Sequence, residues 1–221
     1  MSAYLSWKKQ TITDFSPEHI TSLYNEGFVF TRRGKGEMDQ TRSVRIDLSQ
    51  FELSSENRRI LRKTDEIKMG TIPLPYSQYH WSIGKLAKDF YTTKFGDGTF
   101  SANKIKELLS DPDKSSFNVL FKFTHNDEAI GYTICYTNNE ILHYSYPFYE
   151  LTNVSQFTNI GLGMMTKAVQ WAKDSGKKYV YLGSAQRPTD TYKFQFSETE
   201  WFDGEKWNNN VEELKNILSK I

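Results

Sequence analysis

Gly161 and Gly163 stand just ahead of a run in which Met164, Met165, Ala168, Val169 and Ala172 recur at helical spacing. A glycine-bearing loop that opens a helix presents backbone N–H groups at the positive end of the helix dipole, where a phosphate or an acyl oxyanion can sit. A second set of candidates is cationic. Between 54 and 63 the chain has four cations, Arg58, Arg59, Arg62 and Lys63, against one acid, Glu56. Arg58 with Arg62, and Arg59 with Lys63, have the i, i+4 spacing that sets like charges side by side on a helix. An anionic partner would relieve that repulsion, and so would acids elsewhere in the fold. Arg32, Arg33 and Lys35, around Gly34 and Gly36, form a basic loop that reads either as an anion contact or as a solvated turn.

Other chemistries find less support. His19, His80, His125 and His143 are dispersed with no metal-ligand spacing, so no metal site is expected. Of the four, His143 lies where a strand can point it inward. Glu140 and Asp190 are candidate proton acceptors by location alone. Cys135, the single cysteine, sits in a strand interior and reads as a small buried hydrophobe. One cysteine excludes an intrachain disulfide framework and points to a reducing cytoplasm.

The 221 residues suffice for one large domain or two small ones, and the net charge of +1 offers no global attraction to nucleic acid. No apolar run approaches membrane-spanning length and the first residues lack the order of a signal peptide, so no membrane partner is expected. Aromatic residues make up 15%, a large ring surface that must be buried or offered to a ligand.

The elements that must position these residues follow in order. Ser16, Pro17 and Glu18 start a helix that Gly27 closes, and Phe28 to Phe30 form a strand. The alternation of 41–51 predicts a strand, and a basic helix follows over 54–63. A strand over 67–74 and helices over 78–94 and 101–110 come next. Runs 117–123, 129–136 and 140–148, rich in aromatic and branched residues with short polar connections, predict an antiparallel meander. After the glycine loop and helix, Gly176 is a C-cap and Tyr179-Val180-Tyr181-Leu182 a buried strand. A polar loop, a hairpin turning on Asp203-Gly204, and an amphipathic helix over 211–221 complete the chain. The division expected is an N-terminal region, 1–75, carrying the basic loop and helix, and a core, 76–221.

Two helices, a meander, a glycine loop opening a helix, and a buried strand resemble the GNAT acyltransferase fold. That likeness implies an α/β (α+β) core with a mixed sheet whose two central parallel strands splay around the acyl donor. The chain more closely resembles the aminoacyl-tRNA:protein transferases, the arginyl and leucyl transferases with a GNAT-like catalytic half. The resemblance is carried by Leu23-Tyr24-Asn25-Glu26-Gly27-Phe28 with Arg32-Arg33-Gly34, by Ser43-Val44-Arg45-Ile46, and by the helix ending Arg58-Arg59-Ile60-Leu61-Arg62-Lys63. It continues through 160–178, Tyr179-Val180-Tyr181-Leu182-Gly183, Tyr192-Lys193-Phe194-Gln195-Phe196, and Asp203-Gly204 with Trp207. The chain departs from that family at Gln40 and Thr41, where a cysteine pair is usual, and at Ser184, where an aromatic is usual.

The resemblance implies transfer of an amino acid from charged tRNA to the amino terminus of a protein or peptide, with aminoacyl-tRNA as co-substrate and no other cofactor. It assigns Arg58, Arg59, Arg62 and Lys63, with Arg32, Arg33 and Lys35, to tRNA phosphates. Tyr181, Tyr192 and Lys193 would line the acyl pocket as catalytic residues, and Gly161 and Gly163 would approach the donor. Two alternatives stay open. One is an acyl-coenzyme A N-acyltransferase of the same fold, against which Thr158 stands where that family usually has glutamine or arginine. The other is a non-catalytic relative that binds tRNA or peptide termini.

Overall fold

The computed structural model describes residues 4–152 and 158–221. In chain order the elements are β1 (Lys8–Thr11), α1 (Pro17–Asn25), β2 (Phe28–Phe30), β3 (Glu37–Gln40), β4 (Ser43–Asp47), α2 (Ser55–Lys63), β5 (Lys68–Pro73), α3 (Trp81–Phe95) and α4 (Ala102–Ser110). There follow β6 (Val119–His125), β7 (Glu128–Thr137), β8 (Ile141–Tyr149), α5 (Ile160–Asp174) and β9 (Tyr179–Ser184). A 3-10 helix (Pro188–Phe194), β10 (Thr199–Phe202), β11 (Trp207–Asn208) and α6 (Val211–Leu218) end the chain. The mixed α/β architecture expected from the sequence is the one observed, with meander, helix and parallel strand in the expected order.

The chain divides into two compact units, each assembled from separated stretches. The first comprises 1–58, 138–143 and 169–221. It holds a small sheet in the order β1-β3-β2, and strands in the order β11-β10-β4-β9 followed by the first three residues of β8. Those three residues pair with β9 in parallel, Ile141 with Tyr179, Leu142 with Val180 and His143 with Tyr181. Strand β4 lies antiparallel to both β9 and β10. On one face Val44 and Ile46 of β4 and Val180 and Leu182 of β9 are buried together. Helix α6 seals this unit with Leu214 and Leu218, fully buried and one helical turn apart. Each contributes about 1.5–3 kcal/mol of transfer free energy.

The second unit comprises 59–137 and 144–168, with the strand order β8-β7-β6-β5 and helices α3 and α4. Strands β6 and β7 are antiparallel, and Leu120, Phe121, Phe123, Ile134 and Phe148 are its buried centre. Cys135 is buried there too, and its burial pushes the thiol pKa well up, which removes it as a nucleophile.

Most boundaries agree with expectation to within two or three residues. Ser101 caps α4 by accepting from the Lys104 N–H, and Pro17 opens α1. Strands β1 and β3 were not expected, because neither Lys8-Lys9-Gln10-Thr11 nor Glu37-Met38-Asp39-Gln40 shows an apolar alternation. Helix α5 begins at Ile160, so Gly161 and Gly163 belong to its first turn, and both Leu162 and Gly163 donate N–H bonds to the Asn159 carbonyl. The stretch 156–157, where the glycine loop was expected to begin, lies outside the described residues.

Candidate active site

The site is built on one register of the first unit. Across β4, Arg45 lies directly opposite Glu200 of β10 on one side and Tyr181 of β9 on the other. Residues opposite one another in a sheet share a face, so three polar side chains are forced together. Arg45 Nε donates to Glu200 Oε2 at 2.7 Å, and its Nη1 donates to Asn25 Oδ1 at 3.2 Å and to the Tyr181 hydroxyl at 3.4 Å. The Tyr181 hydroxyl in turn donates to Asn25 Oδ1 at 3.2 Å. The guanidinium carbon lies 4.0 Å from the Tyr179 ring centre and 3.9 Å from that of Trp207. Trp207 Nε1 donates to the Asn25 carbonyl at 2.7 Å. Arg45 is 7% exposed, and a guanidinium so buried is tolerable because each neighbour takes a charge-assisted bond or a ring face.

A second polar chain starts from Tyr24, one residue before Asn25 on α1. Its hydroxyl lies 2.8 Å from His143 Nδ1 and accepts the Phe30 N–H at 3.3 Å. Its ring meets that of Tyr181 edge-on, with centres 4.8 Å apart. His143 is 1% exposed, and burial, with a further contribution from the charge of Lys193, pushes its pKa down to about 3. The imidazole is therefore neutral at physiological pH. Burial also holds the Tyr181 hydroxyl protonated to pH values well above the ordinary range.

Lys193 completes the arrangement from the 3-10 helix. It is 8% exposed, and its Nζ donates to the Ser184 carbonyl at 2.6 Å. Burial lowers its pKa, Asp190 opposes that shift and Arg187 adds to it. Ser184 is displaced from the regular ladder by a bulge, since pairing steps from Arg45/Tyr181 to Ser43/Ser184. Gly183, at φ +73°, supplies the left-handed residue that such a bulge uses. Beyond the bulge the Ser184 hydroxyl meets Thr41 Oγ1 at 2.8 Å, and Gln186 Nε2 donates to Thr41 Oγ1 at 2.8 Å and to the Ser184 hydroxyl. The end of β9 thus gathers a buried lysine amine, a neutral imidazole nearby and several hydroxyls. Such groups can hold an acyl or phosphoryl oxygen and donate to it as charge develops.

The sequence-predicted residues divide sharply. Tyr181 and Lys193 come to this cluster. Tyr192 does not enter the core; its ring is 48% exposed, with Lys193 Nζ 5.9 Å from its centre. Arg33 is bound by Asp39 at 2.6 Å and Glu37 at 2.8 Å, and Asp39 raises its pKa. Arg32 and Arg59 are half-buried with contacts of their own, Lys35 stands 5.3 Å from the Phe15 ring centre, and Arg58 donates to the Leu53 carbonyl. Arg58, Arg62 and Lys63 are exposed.

The two glycines answer to packing. A Cβ on Gly163 would come within 2.6 Å of Thr64, and one on Gly161 within 2.9 Å of the Tyr149 hydroxyl. Asp190 is occupied as a cap, accepting from the Gln186 and Arg187 N–H groups at 2.8 and 3.1 Å, and Glu140 pairs with Lys178 at 2.8 Å. Asn25, Arg45, Glu200 and Gln186 were not singled out by chemistry; Asn25, Arg45 and Trp207 lay within the family-like segments, which was the one available signal.

Away from this cluster, the second unit has a groove of about 380 Å³ lined by residues including Lys85, Asp89, Phe90, Tyr149 and Glu150, none of them sequence-predicted. Among the described residues no group of three His, Cys, Asp or Glu side chains is placed to hold a metal, and no helix is long and apolar enough to cross a membrane.

No family model matches the chain, and no curated protein matches it in sequence. Among solved structures it is similar to the L-PGS of Bacillus licheniformis, at 13% identity and a TM-score of 0.45, over 76% of this chain and 52% of that one. It is similar also to the C-terminal domain of a protein described as a lysylphosphatidylglycerol synthetase from Agrobacterium fabrum, at 12% identity and 0.46, over 93% and 70%. A third is the GCN5-related glucosamine N-acetyltransferase region of a fungal multi-domain β-N-acetylglucosaminidase, at 12% identity and 0.48, over 87% and 22%. The chain thus spans about half the length of the first of these structures and under a quarter of the third.

Proposed function

We propose that this chain is an aminoacyltransferase that moves an amino acid from charged tRNA to the amino terminus of a protein or peptide. One observation carries the reading: motif residues far apart in sequence touch one another. Asn25, Arg45, Tyr181 and Trp207 come from four separate transferase-like segments and are joined by direct hydrogen bonds and ring stacking. A fifth segment brings Lys193 to the end of β9, beside the same strand that carries Tyr181.

The chemistry asked of such a site is modest. An aminoacyl ester is already activated, so the protein must align the amine with the ester carbonyl, donate to the carbonyl oxygen as it gains charge, and let the amine lose its proton. Lys193 Nζ is the donor closest in character to that need. Neutral His143, held by Tyr24, adds no further positive charge to repel the incoming ammonium. Arg45 acts as a positioning residue, fixing Asn25 and Tyr181 through bonds that leave it no freedom. The exposed cations Arg58, Arg62 and Lys63 are available to RNA phosphates.

The test is transfer itself. Purified protein is mixed with a pool of charged tRNAs and peptides that differ only at the first residue, and products are read by mass spectrometry. A peptide heavier by one amino-acid residue names donor and acceptor together; no mass gain while the tRNAs remain charged refutes the proposal.

A further inference from the structure

Residues 4–6, which precede β1, are fastened to the side chains at the end of β9, and the grip falls mainly on their backbone. The Leu5 N–H donates to Gln186 Oε1 at 2.8 Å, and the Leu5 carbonyl accepts from Gln186 Nε2 at 3.2 Å and from Thr41 Oγ1 at 2.7 Å. One side-chain amide thus takes both backbone groups of one residue, as a residue of a neighbouring strand would. The Tyr4 hydroxyl bonds to the hydroxyls of Ser184 and Thr41. Ser184 is the residue whose carbonyl holds Lys193 Nζ, so the segment sits on the same group of residues as the buried lysine.

A segment kept for stability buries its apolar side chains. This one leaves Tyr4 53% exposed and Leu5 only half-buried, and the Trp7 that follows is 38% exposed. What holds it is hydrogen bonding to the backbone, which contributes little net against water and does not depend on side-chain identity. A second chain that offers the same N–H and carbonyl can therefore exchange with it, and while the segment is in place it lowers the apparent affinity for that competitor.

We propose that Gln186, Thr41 and Ser184 form a backbone-recognition site for the acceptor peptide, and that residues 4–6 occupy it as an internal strap which the incoming peptide displaces. That the incoming peptide is an acceptor for transfer rests on the aminoacyltransferase reading above; the binding itself does not.

Calorimetric binding of the blocked peptide acetyl-Tyr-Leu-Ser-Trp-amide, the sequence of residues 4–7, to the whole chain tests it without any transfer reaction. Leu5→Pro removes the N–H that Gln186 accepts and should raise the affinity for the peptide about three- to tenfold, the factor that corresponds to one net hydrogen bond. Tyr4→Phe, a change confined to the hydroxyl of an exposed residue, should shift the affinity in the same direction. The gain should vanish when Leu5→Pro is combined with Gln186→Leu, and the same peptide N-methylated at its leucine should bind Leu5→Pro at least about threefold more weakly. In the wild type, saturating peptide should speed hydrogen exchange of the Leu5 amide, which a segment with a merely structural role would not show. Affinity that is equal in wild type, Leu5→Pro and Tyr4→Phe, or that is undiminished by Gln186→Leu or by N-methylation, overturns the proposal. Peptide binding with the expected dependences in a protein that transfers no amino acid supports this site and removes the transfer reading; transfer with a KM for the peptide unmoved by Leu5→Pro does the reverse.

Discussion

His143 makes folding pH-dependent in a way that can be worked from its surroundings. It is buried against Tyr24, Tyr181 and the charge of Lys193, and its pKa falls from 6.5 to about 3. The folded chain therefore refuses a proton that the unfolded chain accepts. Its contribution to stability is complete above pH 6.5 and is lost as pH falls below that value, because protonation draws the chain to the unfolded state. At pH 5 the unfolded histidine favours the protonated form by about 30 to 1, which removes about 2 kcal/mol, and at pH 4 the loss is about 3 kcal/mol. The assay is urea unfolding of wild type and His143→Gln at pH 8 and pH 5. The wild type should lose about 2 kcal/mol more than the variant over that interval. His19, His80 and His125 are present in both proteins and cancel in the difference. A stability difference, wild type minus variant, that is the same at both pH values or larger at pH 5 would show that the fold does not disfavour protonated His143 and would refute the reasoning.

Two further outcomes are expected. Gly163→Ala should destabilise by about 1–3 kcal/mol, since its methyl must displace Thr64, whereas Gly70→Ala, with open space at its Cβ, should stay within about 0.5 kcal/mol of wild type; urea midpoints at unchanged m check both. Replacing Arg58, Arg62 and Lys63 together with alanine should weaken tRNA binding and flatten the slope of log K against log salt by about 0.7–0.9 for each phosphate that is no longer neutralised, while an unaltered slope removes α2 from the RNA surface.

Periodicity made the larger elements legible. The apolar repeats of α5 and α6 and the aromatic strands β6 to β9 announce themselves because burial of one face or both is what stabilises them. Strands β1 and β3 are polar and are held by backbone pairing to each other and to β2, so nothing in their own residues marks them. The units are equally hidden, because each is assembled from stretches far apart in the chain.

In the site, tyrosine type alone did not distinguish Tyr181, enclosed among Tyr24, Arg45 and Asn25, from Tyr192, whose ring faces solvent. Glu200 and Arg45, 155 residues apart, meet only through strand register, which no local pattern displays. Gly161 and Gly163 were legible as necessary glycines, and the close approaches at their Cα positions are those of Tyr149 and Thr64.

The central claim is that the acyl donor is a charged tRNA. The most direct measurement offers the protein one peptide mixture with each donor in turn, pooled aminoacyl-tRNA or acetyl-coenzyme A, and compares peptide masses at equal times. The account predicts a gain of one amino-acid residue at the peptide amino terminus with aminoacyl-tRNA and no gain with acetyl-coenzyme A. An acetyl group appearing on the peptides, with the aminoacyl-tRNA left intact, would contradict it.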